Sequence, residues 1–185
     1  MCKKILDTTV SFIALVIFSP IFVVVSACIV LDSRGPVFFT QSRVGRNGGI
    51  FKMYKFRSMS VNSEKEGPHF TAQGDSRVTK VGRVIRKTSI DELPQLLNVL
   101  IGNMSLVGPR PNVEIQESEY TQEEWNKRNS VKPGITGLAQ ATLRSRATVT
   151  QRTQLDLEYV DTRSLLADIR ILCLTFKQII LRGSH

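Results

Sequence analysis

Residues Val10 to Leu31 read VSFIALVIFSPIFVVVSACIVL, with only Ser11, Ser19, Pro20 and Ser26 interrupting the apolar run. About 20 apolar residues suffice for a helix to cross the hydrocarbon core, so a plain transmembrane span is one reading. A cleaved leader has a shorter core and a small-residue cleavage site, which Asp32-Ser33-Arg34-Gly35-Pro36 does not resemble. Two features favour a bent segment that enters and leaves on one face. Pro20, at the midpoint, removes a backbone hydrogen bond and kinks a helix, with Ser19 beside it to bond a freed carbonyl. Lys3 and Lys4 precede the run, and Arg34, Arg43 and Arg46 follow it. The positive-inside bias points both ends to the cytoplasm. From the residues alone both topologies stand.

Outward from that segment, the 185 residues suffice for one domain plus an appendage. Lys and Arg number 25 against 16 Asp and Glu, a formal net charge of +9 that favours anionic partners such as headgroups, nucleotides or nucleic acid. Cys2, Cys28 and Cys173 are odd in number and lack C-x-x-C spacing, which argues against a disulfide scaffold or a zinc site. Arg182-Gly183-Ser184-His185 reads as the start of an expression tag, which leaves His69 as the one other histidine. The chemistry therefore falls to carboxylates.

Val37 to Gln41 and Ile50 to Phe56 are aromatic and branched, and flank Gly45-Arg46-Asn47-Gly48-Gly49, so a β-hairpin is expected. An extended strand puts Lys55 and Arg57 on one face, as a solvated pair or as phosphate ligands. Residues Ser60 to Ser76 read as a polar surface loop, and Pro94 to Ile101, stopped by Gly102, as a short helix. Val113 to Arg128 reads as a solvated acidic helix without a catalytic role. Val131 to Gln140 is a glycine-bearing loop whose backbone could approach a ligand or simply turn tightly. Gln151 to Val160 reads as a helix with Arg152, Asp156 and Tyr159 on one side, and Ile169 to Leu181 as a core or interfacial helix.

Ser89-Ile90-Asp91-Glu92-Leu93-Pro94 sets two adjacent acids among Arg77, Lys80, Arg83, Arg86, Lys87 and, further on, Arg110 of Gly108-Pro109-Arg110-Pro111. Acids among arginines suit phosphate chemistry: cations hold the anion, and a carboxylate attacks it or holds a divalent metal. The competing reading is a capping box, Ser89 with Glu92 three residues on. Pro94 counts against it, being misplaced inside a first turn. If the helix starts at Pro94, the acids lie just ahead of it, where nearby cations would keep a nucleophilic carboxylate ionised.

These motifs together resemble the catalytic domain of bacterial monotopic phosphoglycosyl transferases, the polyprenyl-phosphate sugar-phosphate transferases of the bacterial sugar transferase family. The resemblance runs through Ser19-Pro20, Gly35-Pro36-Val37-Phe38-Phe39 with Gln41 and Arg43, and Lys55-Phe56-Arg57-Ser58-Met59. It continues through Gly82 to Arg86, Asp91-Glu92-Leu93-Pro94-Gln95, Leu106 to Pro111 and Lys132 to Gly137. It implies a helix-rich α/β (α+β) membrane-associated domain: a kinked re-entrant helix broken at Ser19 and Pro20 over residues 1–34, then a catalytic body over 35–181 with interfacial amphipathic helices. Residues 182–185 would be the tag remnant. Asp91 would attack the sugar-bearing phosphate of a UDP-sugar and release UMP, and polyprenyl phosphate, such as undecaprenyl phosphate, would then take the phosphosugar. Glu92 would bind Mg²⁺. Arg86 and Arg110 would hold phosphate, with Arg57, Lys55 and Arg144 next, and Pro109, Pro111, Asp156 and Tyr159 would complete the substrate-binding set. Family members carry Gly-Arg-Asn where this chain reads Leu143-Arg144-Ser145, and a Trp where Val149 stands, so the reaction is implied more firmly than the sugar.

The implied location is the cytoplasmic face of the bacterial inner membrane, in the minimal form without a large N-terminal extension; a homodimer is compatible, and nucleic acid is not a partner. A rival reading is a membrane-tethered basic protein that binds anionic lipid or nucleic acid without catalysis. A metal-dependent phosphohydrolase built on the same carboxylates is the third.

Overall fold

The computed structural model describes residues 2–61, 63, 75–143 and 148–182. Its first element, α1 (Cys2–Asp32), carries Pro20 inside one continuous helix. Pro20 leaves the Val16 carbonyl without its usual amide, and Ser19 Oγ donates to that carbonyl at 2.8 Å. The expected interruption at Ser19–Pro20 therefore does not end the helix, because the hydroxyl replaces the missing bond. One face of α1 packs inward through Ala14, Leu15, Val25 and Ile29, whereas Phe12, Ile13, Ile17, Val23 and Leu31 on other faces are exposed.

Polar bonds tie both ends of α1 to the body. Near the start, Asp7 accepts Ser105 Oγ at 2.8 Å and the Leu106 amide at 3.2 Å, and Lys3 donates to Val107 O and Asp168. At the other end, Asp32 accepts the Val81 amide at 3.0 Å. The helix is thus a strut laid along the body and not a separate unit.

The hairpin forms as expected: β1 (Phe38–Val44) pairs antiparallel with β2 (Ile50–Phe56), in a register that sets Phe38 opposite Phe56 and Val44 opposite Ile50. Period-two alternation turns Phe51 and Met53 into the core. The outer edge of β2 is covered by one side chain. Asn98, fully buried, accepts the Tyr54 amide at 2.9 Å and donates to Lys52 O at 2.7 Å, as a neighbouring strand would. Asn98 belongs to α3 (Gln95–Ile101), which starts after Pro94 and ends at Gly102 with φ +95°, where a left-handed stop favours glycine. Before it come α2 (Lys80–Lys87), capped by Thr79, and a 3₁₀ turn at Ile90–Glu92.

The glycine loop contains a strand that the sequence reading left out. β3 (Ser105–Val107) and β4 (Gly134–Thr136) form a two-stranded parallel pair. Their close approach explains the glycines: a Cβ on Gly134 would lie 2.1 Å from Gly108 N, and one on Gly137 would lie 2.3 Å from Gly108 O. The glycines admit backbone. The acidic stretch also differs from expectation, being a 3₁₀ segment at Glu114–Glu119 followed by α4 (Gln122–Arg128) behind a capping box of Thr121 and Glu124. α4 is not wholly solvated, since Trp125 and Arg128 are buried. The chain finishes with α5 (Leu138–Thr142), α6 (Val149–Thr162) and α7 (Leu165–Arg182). The larger core joins Phe51, Met53, Leu96, Met104, Val107, Tyr159 and Ile171, so hairpin, α3, β3, α6 and α7 meet above the inner face of α1.

Candidate active site

Asp91 and Glu92 sit in the 3₁₀ turn between α2 and α3, placed by an unusual residue. Ser89 has φ +60° and ψ +15°, a left-handed conformation costly for a residue with a Cβ, and its side chain makes no capping bond. The capping-box reading fails, and the acids lie just ahead of α3. Past the reversal at Ser89 the two acids differ in exposure: Asp91 is buried and Glu92 half-buried.

Glu92 is the anchor of the cations. Its Oε1 accepts Lys55 Nζ at 2.7 Å and Arg110 Nη2 at 3.0 Å. Lys55 reaches it because it shares the inward face of β2 with Phe51 and Met53. Burial alone would raise the Glu92 pKa, but Arg110 and Lys55 overrule it and hold the carboxyl down at about 2. Lys55 responds oppositely, its ammonium pushed below the ordinary range by burial despite Glu92. Asp91 behaves differently from Glu92, although the same cations surround it. Burial raises its pKa to about 6, Glu92 adds to the rise, and Lys55, Arg86 and Arg110 only moderate it. One acid is thus a fixed anion and its neighbour titrates near neutrality.

Arg86, in the last turn of α2, acts on Asp91 through its charge. Arg110 stands on the turn whose flanking Pro109 and Pro111 are buried, and its own side chain remains 43 % exposed, so it can meet a ligand from solvent. The structure therefore gathers Asp91, Glu92, Lys55, Arg86 and Arg110 around one point. It does not bring Arg57 there as a ligand. Arg57 is buried, and its guanidinium donates to the carbonyls of Arg34 at 2.8 Å, Ser33 at 2.6 Å and Ile29 at 3.4 Å, closing the C-terminus of α1. Asp156 and Tyr159 are also structural, being 1 % and 2 % exposed. Asp156 accepts Arg128 Nε at 2.9 Å, and the Tyr159 hydroxyl donates to Val107 O at 2.9 Å or Asp168 at 2.8 Å. A substrate cannot reach side chains packed so completely. Arg144 lies outside the described residues.

Asp91 and Glu92 are hard oxygen donors of the kind Mg²⁺ takes. No group of three or more His, Cys, Asp or Glu side chains converges among the described residues.

A family model for bacterial sugar transferases matches residues 1–182. The chain belongs to that family. Among curated relatives it is 44 % identical over 187 residues to an undecaprenyl-phosphate glucose phosphotransferase of Komagataeibacter xylinus, covering 95 % of this chain and 35 % of that protein. It is 42 % identical to a UDP-N-acetylgalactosamine-undecaprenyl-phosphate N-acetylgalactosaminephosphotransferase of Aeromonas hydrophila, covering 96 % of this chain and 43 % of that protein. An exopolysaccharide production protein of Rhizobium leguminosarum is 40 % identical, with 98 % of this chain and 96 % of that protein covered. The chain spans less than half the length of the first two.

Two residues of this sugar transferase family member escaped the sequence reading. Arg128 had a signal in its spacing, three residues after Trp125 on a helix whose other positions are polar. Asp7 had one too, as the acid just ahead of a long apolar run.

Proposed function

We propose that this chain moves a sugar 1-phosphate from a UDP-sugar to a polyprenyl phosphate through a covalent intermediate on Asp91. The observation that carries the reading is the placement of two neighbouring acids, Glu92 ion-paired to Lys55 at 2.7 Å and Arg110 at 3.0 Å and so held at about pKa 2, and Asp91 buried beside it, which raises its pKa to about 6. A desolvated carboxylate that is still mostly ionised at neutral pH is a stronger nucleophile than a solvated one. In the first step an Asp91 oxygen attacks the sugar-bearing phosphorus. The bond from that phosphorus to the bridging oxygen breaks, and UMP leaves with the electron pair. In the second step an oxygen of polyprenyl phosphate attacks the same phosphorus, Asp91 leaves as a carboxylate, and a polyprenyl diphosphate sugar is formed. Atoms and charge balance without another reactant.

Arg110, Arg86 and Lys55 would hold the diphosphate while Asp91 attacks, and their charges suit the anionic leaving group. Mg²⁺ bound with the donor, held by Glu92, would neutralise diphosphate charge. The relatives' names support undecaprenyl phosphate as acceptor, and they differ in the sugar, glucose in one and N-acetylgalactosamine in the other.

The long apolar α1 supports a placement at the membrane. Asp7 and Asp32, near its two ends, bond to one body, so a straight crossing would leave polar body against lipid. This supports a monotopic protein on the cytoplasmic leaflet of the inner membrane, its α1 entering from one side with the exposed apolar faces toward lipid and Ser19–Pro20 as the place where it would bend. The exposed Leu165, Leu166, Ile169 and Phe176 of α7 support an interfacial position for that helix.

The test is intact-protein mass after brief exposure to a panel of UDP-sugars with Mg²⁺ and no lipid acceptor. Wild type should gain one phosphosugar and release an equal amount of UMP, and Asp91→Asn should do neither. Transfer that survives in Asp91→Asn would overturn the nucleophile.

A further inference from the structure

The segment Pro109–Arg110–Pro111–Asn112 is held at four successive carbonyls by donors from three different elements. Pro109 O accepts the Gly134 amide of β4 at 2.9 Å, and Arg110 O accepts Arg128 Nη2 of α4. Pro111 O accepts Arg43 Nη1 of β1 at 3.0 Å, and Asn112 O accepts the Val44 amide at 2.9 Å. The two prolines have restricted φ and no N–H to donate. Among these donors Arg128 is the one that grips the backbone of Arg110 itself.

Arg128 is built for that contact. It is 2 % exposed, its Nε is fixed on Asp156 Oδ2 at 2.9 Å, and its guanidinium carbon lies 5.6 Å from the centre of the Tyr120 ring. Tyr120 is tied back to the same turn, since its hydroxyl accepts Asn112 Nδ2 at 2.9 Å. Two buried charges cost desolvation that a well-packed apolar pair would avoid, so the ion pair is a poor device for stability alone. It fixes a planar fork, with one nitrogen on the carboxylate and another on the Arg110 carbonyl.

We propose that Arg128, locked by Asp156, is a positioning residue that sets where the Arg110 guanidinium meets Glu92 and the donor diphosphate. The proposal rests on the reading of Arg110 as a phosphate ligand. A lysine at 128 would keep charge beside Asp156 but could not span both partners, and the turn would loosen under Arg110.

The experiment is a double-mutant cycle read by titration of the purified full chain with UDP in Mg²⁺ buffer, alongside thermal melts. The four proteins are wild type, Arg110→Ala, Arg128→Lys and the double variant. Arg128→Lys should weaken UDP binding about tenfold in the wild-type background and less than about twofold in the Arg110→Ala background, since coupled residues fail to add. Asp156→Asn, which keeps the side-chain shape, provides a second arm that must show the same pattern if Arg128→Lys does not fold. Equal weakening in both backgrounds, or none in either, would overturn the positioning role, and equal weakening with a lower melting temperature is what mere structural support predicts. If Arg110→Ala binds UDP like wild type, the phosphate-ligand reading fails first and the positioning role falls with it.

Discussion

Lys55 Nζ lies 2.7 Å from Glu92 Oε1, on the oxygen that also takes Arg110. A strand residue and the turn after α2 are thereby joined by one ionic contact, and Asn98 fixes the distance between them by clamping α3 to the edge of β2. Removing the lysine leaves Asp91 and Glu92 with one cation fewer while the fold keeps its core. Lys55→Met should lower UMP release by about a hundredfold at saturating donor, the size expected for losing one preorganised charged donor. Lys55→Arg should retain more of the rate. A Lys55→Met rate within twofold of wild type would remove Lys55 from the site.

Asp91 links activity and stability through pH. Its folded pKa is raised from 3.8 to about 6, so the folded state holds the proton more tightly than the unfolded chain does. The stability contributed by the protonated acid is complete below the unfolded pKa and is lost as pH rises through about 6. Asp91→Asn mimics the protonated form. It should therefore match wild type in melting at pH 4 and exceed it at pH 8, by at most about 3 kcal/mol for a shift of roughly two units. Adduct formation in wild type should rise through the same interval as the carboxylate ionises. Thermal melts across pH 4 to 8 check the first half, and equal melting of both proteins at pH 8 would contradict the buried carboxylate.

Arg57 separates a structural from a ligand role. Its donations reach the Ser33 and Arg34 carbonyls just past the end of α1, and at a longer 3.4 Å Ile29 O, which also accepts the Ser33 amide at 3.1 Å. Arg57→Met should destabilise the protein by about 3 kcal/mol, the loss expected for charge-assisted bonds to buried groups. UDP affinity of the folded fraction should stay within about twofold. A large loss of UDP affinity without a change in melting would return Arg57 to the phosphate site.

The parts of this fold legible in the sequence are those written locally. The hairpin was readable because alternation in Ile50–Phe56 and the Gly45–Gly49 turn act between near neighbours, and α3 because Pro94 and Gly102 mark its ends. The pair of β3 and β4 was not, because three-residue strands in parallel register carry no period and their glycines answer to each other across the chain. Arg57 and Asp156 look like ligands by residue type. Whether a guanidinium faces a phosphate or a row of carbonyls is decided by packing, which residue type does not encode. The same limit applies to Asp91. The density of cations around it is visible in sequence, but the burial that outweighs them is a tertiary quantity.

The position of α1 in the membrane can be tested by labelling. At about 1.5 Å per residue the helix is longer than a bilayer core, so length alone would permit a crossing. Its bonds argue otherwise, since Asp7 is held by Ser105 and Leu106 while Asp32 is held by Val81 of the same body. Lys4 and Arg34 are both exposed, beyond the ends of the apolar run. In a chain with Cys2, Cys28 and Cys173 replaced by serine, Lys4→Cys and Arg34→Cys should both react with an impermeant maleimide in inside-out vesicles. Neither should react in intact spheroplasts. Pro20→Leu restores the amide that Val16 O lacks and Ser19→Ala removes the hydroxyl that stands in for it, so α1 regains an unbroken hydrogen-bond ladder and the proposed bend loses its cause. In that variant part of the population should expose Lys4→Cys to reagent outside spheroplasts. Labelling of Lys4→Cys from outside in the otherwise unaltered helix would establish a crossing and sink the one-sided topology.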